Sequence, residues 1–95
     1  MVKATQSYEV VKFTDIPNVG KVVAAKLVML KLKSPQELKT KDAFALYTKL
    51  NKLTGMRQDS CLLDTFIAAI DFMNGAPARP WFFYTKERKK KYPTI

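Results

Sequence analysis

Ile16-Pro17-Asn18-Val19-Gly20-Lys21, with Ala24 three residues beyond Lys21, restricts the fold more than any other segment. Pro17 and Asn18 form a tight turn, and an apolar run beginning near Gly20 carries the chain straight into a helix. Asn18 stands where glycine is usual, but asparagine is the next best tolerated residue at positive φ. The spacing predicts a turn over residues 16–20 and a helix starting between Val19 and Lys21. Such a turn aims the amides of Val19, Gly20 and Lys21 at one point. Those amides, the positive end of the helix and the Lys21 ammonium together suit an anion, with phosphate the expected occupant. Gly20 lets an external group approach without a Cβ in the way. The same pattern also suits a plain turn between two helices that binds nothing.

The other signals are helical as well. Val10, Phe13 and Ile16 predict a short helix over about 9–15, and residues 20–30 a second, apolar on nearly every side and therefore expected at the centre of the core. Ser34-Pro35-Gln36-Glu37 reads as a helix start, with Ser as N-cap, Pro at the first helical position and Glu at the third. Asp42 caps the next helix and Gly55 stops it. The last long helix, about 58–73, carries an inward stripe of Leu62, Leu63, Phe66, Ile67, Ile70 and Met73. Asn74-Gly75 ends that helix, and residues 76–80 form a rigid connector. Cys61, Thr65, Ala68 and Phe72 fall opposite the stripe, with Cys61 read as a small residue at a helix crossing.

At an offset of 37 residues, Ile16–Lys21 overlays Leu53–Gln58 and Ala24 overlays Cys61. Ile16–Lys21 resembles the hairpin of helix-hairpin-helix proteins, a family of sequence-independent DNA-binding modules. The expected fold is therefore all-α: a compact five-helix domain of two tandem helix-hairpin-helix units, the second degenerate. Residues 1–8 read as a loose N-terminus, 9–84 as the domain and 85–95 as a basic C-terminal tail. In the second unit Arg57 replaces Gly20, and Asp59 supplies its own negative charge to the helix terminus. Asp64 and Asp71 share a face that would repel nucleic acid. The first hairpin is thus the expected site.

Ninety-five residues with 47% apolar content suffice for one small core. Seventeen Lys and Arg against eight Asp and Glu give a net charge of +9, which favours a polyanionic partner. With no His and a single Cys, the chain lacks Ser-His, Cys-His and His-metal chemistry. A non-enzymatic role is expected, with no catalytic residue, metal or cofactor. The Cys usage and the absence of an apolar leader or span favour the cytoplasm and no membrane partner.

The expected phosphate-binding residues are Pro17, Asn18, Val19, Gly20 and Lys21. Lys26, Lys33, Arg57, Lys89 and Lys90 form a secondary basic surface; Lys26 and Lys33 point within about 20° of each other on a helix. Trp81-Phe82-Phe83-Tyr84, followed by five basic residues and one acid over 86–91, admits two readings. The aromatics stack on bases, or they fold back to close the core. The expected partner is DNA, held by its backbone. The alternative is a protein-interaction module that keeps the scaffold without binding nucleic acid, meeting its partner through an exposed Phe72 and the aromatic segment.

Ile16–Gly20, Ser34-Pro35-Gln36-Glu37-Leu38, Leu46-Tyr47-x-x-Leu50 and Thr54-Gly55-Met56-Arg57-Gln58-Asp59-x-Cys61 together resemble the pathogenicity-locus family of stand-alone bacterial helix-hairpin-helix proteins. The resemblance covers roughly residues 10–84, and the family usually has glycine at the position of Asn18. Some members carry a mitomycin-resistance label. Because mitomycin crosslinks DNA, the resemblance implies an association with DNA damage.

Overall fold

The computed structural model describes residues 3–93 and 95. Met1 and Val2 of the N-terminal segment and Thr94 of the C-terminal segment lie outside the described residues. Among the described residues every element is helical and none is a strand. Four α-helices occur: α1 (Lys21–Met29), α2 (Ala43–Thr54), α3 (Ser60–Met73) and α4 (Thr85–Lys91). Four 3₁₀ segments accompany them: Ser7–Glu9, Phe13–Asp15 and Trp81–Tyr84, and the longer Pro35–Thr40. None of the helices is long and apolar enough to cross a membrane.

The stop and start signals act where the sequence places them. Asp42 accepts from the Ala45 amide at 3.0 Å, and Gly55 ends α2 in the left-handed region at φ 67°. Before α1, one short helix was expected, but the chain makes two 3₁₀ turns separated by extended backbone at Val10. Carboxylates explain the break. Glu9 and Asp15 each reach back to bond the amides preceding their own turn, at 2.9–3.0 Å. Glu37 does the same for the amides of Lys33 and Ser34, so the Ser-Pro-Gln-Glu start opens a 3₁₀ turn. These bonds hold all three carboxyls below their ordinary pKa: for Glu9 the Thr5 hydroxyl contributes most, and for Asp15 and Glu37 the backbone amides do.

The centre of the core is α3 rather than α1. It packs against α2, the Pro35–Thr40 turn, the Trp81–Tyr84 turn and α4. Thr65, Ala68 and Phe72, expected on the outward face, are buried along with Leu62, Leu63, Phe66 and Met73. Ile67 and Ile70 are only half-buried. Covering the second face are the Trp81–Tyr84 turn, at the end of the expected domain, and α4, formed by residues read as the basic tail. Phe72 is accordingly unavailable to any partner. In α1, Leu27 is the buried residue, while Val22, Val28 and Met29 are exposed.

A buried ion pair secures the second cover. Arg88 of α4 donates from Nε to Asp64 Oδ1 at 2.7 Å and from a terminal nitrogen to Oδ2 at 3.2 Å. Thr85 Oγ1 donates to Oδ2 at 2.7 Å. Arg88 is 4% exposed and Asp64 fully buried. Asp64 therefore presents no charge to an approaching polyanion, contrary to its expected repulsive role. Asp71 accepts from the Tyr84 hydroxyl at 2.9 Å and lies 3.9 Å from Arg79, so it too is partly neutralised.

Removing the cation of a buried pair strands its partner's charge. Arg88→Met should cost about 3–5 kcal/mol in urea denaturation, and adding Asp64→Leu should recover much of it. Lys89→Ala, on the exposed side of α4, should cost no more than about 0.5 kcal/mol. Acid should also destabilise the fold. Glu9, Asp15 and Glu37 have depressed native pKa values, so unfolding takes up protons and stability drains away as pH falls from about 5 through 4 and below. Denaturation midpoints at pH 7, 4.5 and 3.5 should decline, and Glu37→Gln should make the decline shallower.

Candidate nucleic-acid interface

The hairpin begins as a tight turn. The Val19 amide donates to Ile16 O at 3.1 Å, with Pro17 second in the turn and Asn18 third at φ 73°. Proline followed by positive φ is the signature of a type II turn. Ile16 and Val19 are fully buried and pin the turn to the core. Gly20 then serves as N-cap in extended conformation (φ −94°, ψ −170°), and α1 starts at Lys21, inside the expected window.

This helix terminus is open. Gly20 has no side chain with which to cap, and the first intrahelical bond runs from the Ala24 amide to Gly20 O at 2.9 Å. The amides of Gly20, Lys21, Val22 and Val23 have no acceptor among the described residues. Val19, whose amide is taken by Ile16, is not among these donors. Lys21 is exposed at the helix start, and the first turn of α1 contains no acid. A second ammonium lies beneath the turn, where Lys3 Nζ donates to Thr14 O at 2.6 Å and to Val19 O.

Nothing inside the chain demands glycine at position 20. Its φ is ordinary for any residue, and a Cβ placed there would meet nothing within 4 Å. Asp42 caps α2, and at the start of α3 Asp59 Oδ1 accepts from the Cys61 amide at 2.9 Å. Aspartate at those two positions satisfies donors that α1 leaves free. The Asp59 interaction also raises the Cys61 pKa, which keeps that thiol protonated.

Asn18 has a second task that the sequence did not reveal. Its Nδ2 donates to Arg79 O at 2.7 Å, and its Oδ1 accepts from the Trp81 amide at 3.2 Å. The side chain thus staples the hairpin to both flanks of Pro80. Asparagine at a turn position that usually takes glycine was the signal: it tolerates the φ and adds a two-ended hydrogen-bonding group.

The second hairpin is closed. Gln58 uses all its polar groups. Its amide donates to Asn51 Oδ1 at 2.8 Å, and its carbonyl accepts from the Tyr47 hydroxyl at 2.5 Å. Its side chain donates to Thr54 Oγ1 at 3.3 Å and accepts from Lys26 Nζ at 3.0 Å. The N-cap of α3 is Asp59, not Arg57, so the two connections, residues 16–20 and 55–59, are equal in length and align two residues later than the 37-residue overlay places them.

The secondary basic residues are dispersed. Lys26 faces the second hairpin through Gln58. Lys33 is exposed past the far end of α1, a helix of nine residues that spans about 13 Å. Arg57 is exposed in the second connection, while Lys89 and Lys90 are exposed on α4. The structure brings Pro17, Asn18, Gly20 and Lys21 together with Lys3 and the Arg79–Trp81 strip.

These features define a small all-α chain with one open hairpin-to-helix terminus and one closed hairpin. The family model described as Pathogenicity locus matches residues 6–90, and the chain belongs to that family. It is 40% identical over 77 residues to the mitomycin resistance protein McrB of Streptomyces lavendulae, covering 81% of this chain and 73% of that protein. No solved structure matches it significantly.

Asn18→Gly keeps the positive φ but cuts the staple, and should cost about 1–2 kcal/mol in chemical denaturation. Asn18→Ala adds backbone strain and should cost more, by about a further 1 kcal/mol. Equal stability of both variants with the parent would show that the staple contributes nothing.

Proposed function

We propose that this protein is a non-enzymatic module that binds DNA without regard to sequence, holding backbone phosphate at the first hairpin. The Gly20 and Lys21 amides and the Lys21 ammonium make the contact, with the remaining first-turn amides of α1 adding to the field. The observation that carries this reading is the uncapped terminus of α1 behind a glycine that no internal packing requires. A net charge of +9 supports a polyanionic partner and predicts salt-sensitive binding. The McrB relative is named for resistance to mitomycin, a DNA-crosslinking agent, and that name supports a role on damaged DNA.

A protein partner is the second reading, favoured by the exposed Val22, Val28 and Met29 of α1. DNA binding separates the two. Fluorescence anisotropy on several unrelated duplexes should show binding that weakens steeply with salt. Lys21→Ala should weaken all duplexes equally and flatten the slope of log K against log salt by about one unit. Gly20→Asp should stabilise the fold by a few tenths of a kcal/mol, since aspartate caps better than glycine. It should nevertheless weaken binding, because its carboxylate occupies the amides. Parent-like binding by both variants, or no binding by the parent, would leave the protein-partner reading in front.

A further inference from the structure

Residues 81–84 form a single 3₁₀ turn in which, at three residues per turn, Trp81 and Tyr84 share one side. Tyr84 is buried and Trp81 half-buried, whereas Phe82 and Phe83 are 63% and 57% exposed. The turn therefore answers both sequence readings: one side closes the core and the other presents aromatic rings to solvent. The two exposed rings are not equivalent. The Arg79 guanidinium lies 4.7 Å over Phe83 and takes one of its faces. Phe82 is braced by Trp81 in a perpendicular pair, with ring centroids 5.8 Å apart and an interplanar angle of 86°.

The Asn18 staple determines where this ring stands. It bonds Arg79 and Trp81, two residues before Gly20 and one before Phe82. At 3.8 Å per residue, Gly20 and Phe82 are no more than about 20 Å apart, a span of a few nucleotides. The surroundings suit a nucleic-acid strand. Lys3 and Lys21 lie at the hairpin, Arg79 lies beside the rings, and the neighbouring Asp71 is engaged by Tyr84 and Arg79.

We infer that Phe82, braced by Trp81, is a stacking platform for an unpaired nucleobase whose strand is held at Gly20 and Lys21. The preferred ligand is then DNA with unpaired bases, such as a gap or a single-stranded flank, over intact duplex. Stacking accepts any base, because every base has a π-face. The inference rests on the DNA-binding reading above and specifies its substrate class.

The test uses the full chain and three labelled ligands: an intact duplex, the same duplex with a three-nucleotide gap, and that gap built from abasic units. Abasic units keep the phosphates and remove the bases. The gapped duplex should bind about ten-fold tighter than its abasic counterpart, as expected for one stacked base. Phe82→Ala should erase that difference without changing affinity for the intact duplex, and Phe82→Trp should restore it. Trp81, the single tryptophan, should be quenched by the gapped ligand and not by the abasic one. Equal binding of the gapped and abasic ligands, or equal losses on all three ligands in Phe82→Ala, would overturn the platform and leave the phosphate site standing. Failure to bind any of the three would overturn both.

Discussion

A carboxylate buried in the most apolar helix imposes the constraint on which the rest depends. Asp64 lies in α3 among Leu62, Leu63, Thr65 and Phe66, and a lone charge there would cost several kcal/mol. Arg88 and Thr85 satisfy it, and in doing so they draw α4 onto the core. Both hydrogen-bonding groups come from one turn of α4, so the pair also sets that helix's position. The Trp81–Tyr84 turn must then span the gap between the end of α3 and α4. Its inner side closes the second face of α3, and its outer side stays in solvent. Placement of the aromatic strip thus follows from an ion pair made by residues outside it.

The same strip is tied to the opposite end of the chain by Asn18. Hairpin and strip hold each other: the turn supplies a side chain at positive φ, and the strip supplies a carbonyl and an amide flanking Pro80. Proline has no N–H of its own, so its neighbours carry the bonding. Because Ile16 and Val19 are buried beneath the turn, α1 leaves the core at a fixed place with its terminus facing out. That helix is peripheral, which explains why its apolar residues Val22, Val28 and Met29 remain exposed. At its far end, Lys31 adopts φ 69°, and the Lys31 and Leu32 amides bond back to Val28 and Leu27, closing the helix without glycine.

The two hairpins differ in what they do with their polar groups. In the second, each polar group of Gln58 is bonded within the chain, and Asp59 caps the helix behind it. In the first, the turn is closed by a single backbone bond and the helix donors stay open. An internally satisfied hairpin is a structural joint. The first instead leaves the leading amides of its helix without an acceptor among the described residues. The contact between them runs from Lys26, in the last turn of α1, to the Gln58 side chain just before α3.

Turns, caps and helix ends were legible from the residues themselves, because each is decided within four or five positions. Pro17-Asn18, Asp42, Gly55 and Asn74-Gly75 act locally and would do so in many folds. The open terminus of α1 was legible for the same reason, as was its position at Gly20. The depth of each helix was not. An apolar run such as 22–30 shows what could be buried, but the cover that α3 receives on both faces depends on residues 81–91, far along the chain. Signals for the long-range bonds were present in the odd placement of Asp64 and Asn18, yet neither names its partner. Local conformational preference alone determined the all-helical chain and its hairpins. Only the tertiary structure decided that α3 is central, that Arg88 turns inward and that Phe82 faces out beside the hairpin, because desolvation and pairing depend on every element at once.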